Sequence, residues 1–194
     1  MGSLTQMQRS VIIGSILGDG CLRRVKGRKD ALLEVNHSIG AKDYVDWKYS
    51  ILENISKSEP KTRKGNANRI AYRFTTRQNK ELTKLLKIFY ENGRKLVPHD
   101  LELDAISLAI WFMDDGSKCR KFDVYFNSQQ FDPKDQLLLI DKLGEFGIKA
   151  RLNKDKKYKR IRILKTSVKS LNQLIHRYII PSMRYKLSYD PVET

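Results

Sequence analysis

Cysteine is nearly absent: the 194 residues hold two, Cys21 and Cys119. Two thiols are too few for a disulfide framework or a zinc site, which fits a reducing compartment; both are read as small, buried or half-buried residues. No apolar run approaches the roughly 20 residues a membrane span needs. No secretory leader is expected at the start, and Met1-Gly2-Ser3 lacks the downstream Ser or Thr of a myristoylation signal. Low-complexity segments and long linkers are also missing. Acidic residues are scarce beside basic ones, 22 against 38, for a formal net charge of +16. A compact chain with that charge repels itself, so a polyanionic partner is expected, nucleic acid first. The excess is shared: residues 1–98 carry 20 basic and 9 acidic residues, and residues 99–194 carry 18 and 13. At 40% hydrophobic residues the chain can bury the core of one domain or two small ones.

What is present is a duplication. Residues 12–20 read Ile-Ile-Gly-Ser-Ile-Leu-Gly-Asp-Gly and residues 108–116 read Leu-Ala-Ile-Trp-Phe-Met-Asp-Asp-Gly, the second Asp-Gly lying 96 residues after the first. Each is an apolar run that ends in an acid and a glycine. A helix is electronegative at its C-terminus, so a carboxylate delivered there needs a reason, and a bound cation is the usual one. A third landmark repeats with it: Lys95-Leu96 precedes Asp100, and Lys186-Leu187 precedes Asp190.

Periodicity predicts helices over 5–18, 41–55, 79–90, 104–114, 133–145 and 168–179, with Thr5 or Ser3 as the first cap and Pro133 in a first turn. Alternation predicts strands over 31–37, 60–64, 69–75, 121–129, 148–153 and 159–165, with a hairpin around Gly65-Asn66. On the helix 41–55, Tyr44, Trp47, Ile51 and Ile55 are placed near one side. Each half then reads helix-strand-strand-helix-strand-strand-helix, which gives an α+β chain with pseudo-twofold symmetry, residues 1–98 forming one half and 99–194 the other.

If the two motif helices pack side by side, Gly14, Ser15 and Ala109 allow close approach, and Asp19 and Asp115 meet at the bottom of the interface. Paired carboxylates repel unless cations lie between them, and hard divalent ions suit an oxygen-only site. Beside a basic surface this suggests metal-dependent phosphodiester hydrolysis, with Lys95 and Lys186 adding positive charge near the reacting phosphate. The strands alternate an apolar face with Arg, Asn, Gln or Thr: Arg160 and Arg162 against Ile161 and Ile163, and Arg69 and Arg73 against Tyr72 and Phe74. Such a β-ribbon fits a major groove. The DNA-contacting set is expected to be Arg23, Arg24, Asn36, His37, Lys61, Arg63, Arg69, Arg73, Lys118, Arg120, Tyr125, Asn127, Arg151, Asn153, Arg160 and Arg162.

The paired motifs resemble those of the LAGLIDADG homing endonucleases, in the monomeric two-motif branch, and the resemblance runs from about Met7 to Pro191. It implies two αββαββα halves whose antiparallel sheets form a DNA-binding saddle with the motif helices at the interface. It also implies Asp19 and Asp115 as metal ligands, helped by the carbonyls of Gly18 and Asp114, and Lys95 and Lys186 at the family's basic active-site positions. Gln129 matches a polar position that organises active-site water, with Asn36 or His37 as its first-half counterpart and Asn153 a weaker match of that kind. Leu17 and Met113 replace the motif's acidic sixth residue, and Ile110 replaces its glycine. The activity implied is a site-specific double-strand break in a long asymmetric target, leaving 3′ overhangs, with Mg2+ as cofactor and Mn2+ able to substitute. An organelle or prokaryotic cytoplasm is the expected location. The rival reading is an intron RNA maturase on the same scaffold; a DNA-binding regulator that does not cut is disfavoured by the intact acids.

Overall fold

Two capping boxes set the motif helices. The computed structural model describes residues 3–65, 69–120 and 122–188. Thr5 caps α1 (Gln6–Leu17): its hydroxyl accepts the Gln8 N–H, and the Gln8 side chain accepts the Thr5 N–H, both at 3.2 Å. Asp104 caps α4 (Ala105–Asp115) in the same reciprocal way with Ser107, at 2.7 and 2.9 Å. The second oxygen of Asp104 crosses to α1 and accepts the Ser10 hydroxyl.

The helices lie against each other along the small residues of the first motif. A Cβ built on Gly14 would come within 2.5 Å of the Ser107 carbonyl oxygen and 2.7 Å of Ile110 Cβ. The motif glycine lost at position 110 is therefore complemented by the one kept at position 14. Both helices are buried nearly all round, from Val11 to Leu17 and from Leu108 to Met113.

Each motif runs into a four-stranded antiparallel sheet. The first contains β1 (Cys21–Arg24), β2 (Ala31–Ser38), β3 (Lys61–Lys64) and β4 (Ile70–Thr75) in the order β1-β2-β4-β3. The second contains β7 (Gly116–Arg120), β8 (Asp123–Phe126), β9 (Ala150–Asp155) and β10 (Tyr158–Ile163) in the order β7-β8-β10-β9. Between them, β5 (Tyr90–Glu91) and β6 (Arg94–Lys95) form a small hairpin through Gly93, whose φ of +78° favours glycine. Helices α2 (Lys42–Leu52) and α3 (Lys80–Phe89) accompany the first sheet, and α5 (Pro133–Glu145) and α6 (Val168–Ile175) the second.

Strand alternation matches the faces expected at Leu33, Val35, Phe74, Val124, Phe126, Ile161 and Ile163, which are buried, but not at the strand ends, where Ile70 and Phe122, on the same apolar faces in the sequence, are exposed. Strands β1 and β7 follow the motifs directly, where alternation is too short to read. Helix α2 is phased differently from expectation. Its buried stripe is Tyr44, Val45, Lys48 and Leu52, and Trp47 and Ile51 are only half-buried. Both cysteines are exposed, not buried, because each sits on the solvent side of its strand. The hairpin tip at Asn66, the first residue of the expected strand 121–129 and Asp190 lie outside the described residues. No helix among the described residues is long and apolar enough to cross a membrane.

Candidate active site

Asp115 is the last residue of α4, and Asp19 lies in the Gly18–Gly20 turn just past α1. Asp19 is half exposed, at 51% of its side chain. Asp115 is deeper: burial first, then the negative charges of Asp19 and Asp114, push its carboxyl up to about 8 against the pull of Lys95 and Lys186. Three carboxylates, those of Asp19, Asp114 and Asp115, therefore gather at one interface.

The two lysines arrive from different local structures at equivalent places. Lys95, on β6, donates to the Gly18 carbonyl at 2.6 Å. Lys186, at the end of a short 3-10 turn (Pro181–Lys186), donates to the Asp114 carbonyl at 3.0 Å and to that of Met113. Each ammonium thus holds the carbonyl just before its own half's motif acid, at a helix C-terminus where positive charge is favoured. Burial draws both lysines below their ordinary value, opposed by the nearby carboxylates.

The glutamine at the site is Gln130, not the expected Gln129. Gln129 turns to β9 and donates to Asp155 at 3.0 Å. Gln130 donates to the Leu17 carbonyl at 3.0 Å and reaches the Gly18 carbonyl and Asp115 Oδ2 at 3.3 Å each, spanning both motifs. In sequence the two are adjacent polar residues in one turn, and only the turn geometry separates them. Of the first-half candidates, His37 is the one at the carboxylates, with Nδ1 3.6 Å from Asp19 and Nε2 3.7 Å from Asp114. Burial, then Lys48, lowers its pKa. Asn36 is exposed on β2.

Lys48 and the Asp114 side chain were not anticipated. Both side chains are wholly buried, and the ammonium donates to the two carboxylate oxygens at 2.9 and 3.1 Å. The signal the sequence offers is the place of Lys48 midway between Tyr44 and Leu52, a stripe that the expected phase of Tyr44, Trp47, Ile51 and Ile55 passes by and on which a buried charge requires a partner.

Two donor sets could hold a cation. Asp19, His37 and Asp114 offer atoms within 4.8 Å of one another. Both oxygens of Asp114 are already held by Lys48, however, and one also accepts the Asp19 N–H. The carboxylates of Asp19 and Asp115 and the carbonyls of Gly18 and Asp114 are all oxygen donors, the chemistry hard divalent ions prefer, and here too the carbonyls already have partners, Lys95 and Gln130 on Gly18 and Lys186 on Asp114.

Beyond the acids, an open groove of about 850 Å³ runs from Asp19 past Asn36 and His37 to Arg69 and Ala71. All of its lining residues belong to the first half, and both sheets carry polar faces. In the first sheet Asn36 is opposite Arg73, and Arg73 opposite Lys61; Arg23, Arg24 and Arg63 are exposed nearby. In the second, Arg151 is opposite Arg162, and Arg160 opposite Asn153. Several of these cations are held in place. Arg23 and Arg73 both bind Glu34, Arg162 binds Asp123, and Arg160 stacks 4.0 Å over the Tyr125 ring while reaching Asn127 at 3.4 Å. Three expected contacts are modified. Tyr125 is covered by that arginine and only 8% exposed, Lys118 donates inward to the Leu187 carbonyl at 2.7 Å, and the Asn153 amide is turned to the Lys154 carbonyl at 3.1 Å. Arg120 is exposed at the end of β7.

Comparison with known proteins agrees with this geometry. A model of the LAGLIDADG DNA endonuclease family matches residues 9–171. The chain is 30% identical over 203 aligned positions to a probable intron-encoded endonuclease of Wickerhamomyces canadensis, covering 97% of this chain and 87% of that one. It is also 30% identical to the cytochrome b mRNA maturase bI2 of Saccharomyces cerevisiae, across 96% of this chain but 48% of the maturase, so it spans about half of that protein. Among solved structures, the homing endonuclease I-WcaI bound to its DNA recognition sequence superposes with a TM-score of 0.89 at 29% identity, covering 98% of this chain and 89% of the other. The family match over residues 9–171, together with 30% identity across nearly the whole chain to an intron-encoded endonuclease, places this chain in the LAGLIDADG DNA endonuclease family.

Proposed function

We propose that this protein is a site-specific, divalent-metal-dependent endonuclease that makes a staggered double-strand break, with 3′ overhangs, in a long asymmetric duplex. The observation that carries the reading is the matched pair of lysines on the carbonyls beside Asp19 and Asp115. Around the two acids the chain concentrates negative charge and oxygen donors, and it encloses them in a basic surface.

The halves 1–98 and 99–194 act together as a monomer, each sheet following one part of the major groove. Exposed Arg24, Lys61, Arg63, Arg69, Arg120 and Arg151 hold phosphates and base edges, and the anchored Arg73, Arg160 and Arg162 present their guanidinium groups in fixed directions. Asp19 and Asp115, with the Gly18 and Asp114 carbonyls, hold Mg2+ or Mn2+. Such ions, when bound, supply Lewis-acid stabilisation of charge on the attacking and departing oxygens. Lys95 and Lys186 bring positive charge to the phosphate that is cut, and Gln130 fixes the turn between the motifs and orients the Asp115 carboxylate. Intron-encoded relatives support an organelle as the place of action, with prokaryotic cytoplasm the other setting.

The test is a cleavage selection: purified protein, Mg2+ and a randomised or genomic duplex pool, with sequencing of the cut ends. One long motif with a short 3′ stagger is the expected result. The likeness to a maturase supports a second reading, in which the same scaffold binds intron RNA. No cleavage, together with tight and selective binding of structured RNA, would replace the first reading with that one.

A further inference from the structure

The two halves differ where their motifs touch. The residue before the motif acid is Gly18 in one and Asp114 in the other. Helices α2 and α5 begin 91 residues apart, at Lys42 and Pro133, which sets Lys48 against Leu139. Both are wholly buried. At these positions the first half therefore contributes lysine and glycine, and the second half leucine and aspartate.

The charged pair does not stay within a half. The Asp114 side chain crosses to the first motif and occupies the space beside Gly18, where a Cβ would meet it at 2.4 Å. Its Oδ2 accepts the backbone N–H of Asp19 at 3.1 Å. Lys48 holds both of its oxygens from below, with its ammonium 4.4 Å over the Tyr44 ring. The Tyr44 hydroxyl in turn donates to the Ile110 carbonyl of α4 at 3.2 Å. Gly18 has no side chain with which to return the contact to Asp115. A buried ion pair adds little stability over a packed apolar pair, and the symmetry-related positions, Leu139 and Gly18, carry no charge, so the fold does not require one there. The pair therefore has a role other than holding the core together.

We propose that Lys48 is a positioning residue: through Asp114 it fixes the backbone of Asp19, orienting one of the two motif carboxylates, while the other is held by its helix and by Gln130. The cuts in the two DNA strands then depend on Lys48 to different degrees. The strand effect rests on the endonuclease reading; the backbone effect does not.

Two measurements test it. Lys48→Met leaves a buried carboxylate unpaired and is at risk of misfolding, so the double variant K48L/D114G, which gives both positions the residues of their symmetry mates Leu139 and Gly18, is made beside it. In the metal-free protein, hydrogen exchange of the Asp19 amide should quicken about tenfold or more in Lys48→Met, where the Asp114 acceptor is kept, and as much in the double variant, while the amides of residues 11–17 keep their protection in both. Unchanged exchange at Asp19 overturns the proposal, as does loss of protection along the whole helix. In single-turnover cutting of the selected target, labelled on each strand in turn, one strand should slow about 10- to 100-fold and the other by less than about threefold, so that nicked duplex accumulates. Equal slowing of both strands, or of neither, overturns the strand effect. If the wild-type protein cuts no duplex, the endonuclease reading and the strand effect fall together, and the exchange measurement alone decides the backbone effect.

Discussion

Gly14 and Ile110, the third residues of their respective motifs, face each other across the α1–α4 interface, and the Ile110 Cβ lies 2.7 Å from where a Gly14 Cβ would stand. The Ser107 carbonyl is closer still, at 2.5 Å, and backbone does not move aside cheaply. Gly14→Ala should therefore cost about 1–3 kcal/mol through overpacking. Gly144 is the control: it lies in α5 with nothing near its would-be Cβ, so Gly144→Ala should be neutral or stabilising by up to about 1 kcal/mol. Urea denaturation of both variants checks the pair, and similar midpoints for the two would contradict the close approach.

Asp104 is expected to matter more than an ordinary cap because it serves two helices. It closes the start of α4 and accepts the Ser10 hydroxyl from α1. Burial raises its pKa, yet hydrogen bonds from Ser10 and Ser107 outweigh that and hold the carboxyl below its ordinary value. A lowered folded-state pKa gives stability that is present above the ordinary carboxylate range and lost as pH falls through the folded value. Asp104→Ala should cost about 1–2 kcal/mol near neutral pH, with the difference shrinking in acid. Thermal melts of wild type and variant between pH 7 and pH 3 measure it; a constant difference would refute the assignment.

Asp115 has the opposite sign. Its carboxyl is raised from 3.8 to about 8, first by burial and then by Asp19 and Asp114. The folded state therefore binds a proton that the unfolded state has released, and stability falls as pH rises between those values. In chelator, wild type should lose melting temperature relative to Asp115→Asn as pH goes from 5 to 8. Added Mg2+ should restore it most at the upper end, where the carboxylate is free to bind the ion. Parallel pH profiles in chelator would show that Asp115 is not so buried among like charges.

Lys95 and Lys186 should separate binding from turnover. Each touches a carbonyl beside a motif acid rather than the exposed sheet surface. Lys95→Met and Lys186→Met should each lower single-turnover cleavage by about 10²–10³-fold, while affinity for target duplex changes by only a few fold. Loss of affinity in proportion to loss of cutting would make them ordinary phosphate contacts.

Much of this site is written along the chain. The motif acids, the repeat-end lysines and the apolar faces of β2, β8 and β10 are local patterns, and the structure puts them where those patterns point. Lys48 is legible only in part. A lysine in an apolar helical stripe implies a buried partner, but the sequence does not say that the partner is Asp114, 66 residues away. The choice between Gln129 and Gln130 was closed to pattern reading altogether, since one turn carries both.

Periodicity, caps and the repeated motif are properties of neighbouring residues, so the sequence by itself determined the six helices, the longer strands of each half, the pair Asp19 and Asp115 and the basic character of both halves, while the short β1 and β7 carry too few residues to show an alternation. Which side chain crosses between halves depends on how closely two helices approach and on which buried charges then find partners. These are contacts over tens of residues, and only the tertiary structure decided them: Asp114 beneath Asp19, Lys48 beneath Asp114, and Gln130 between the motifs.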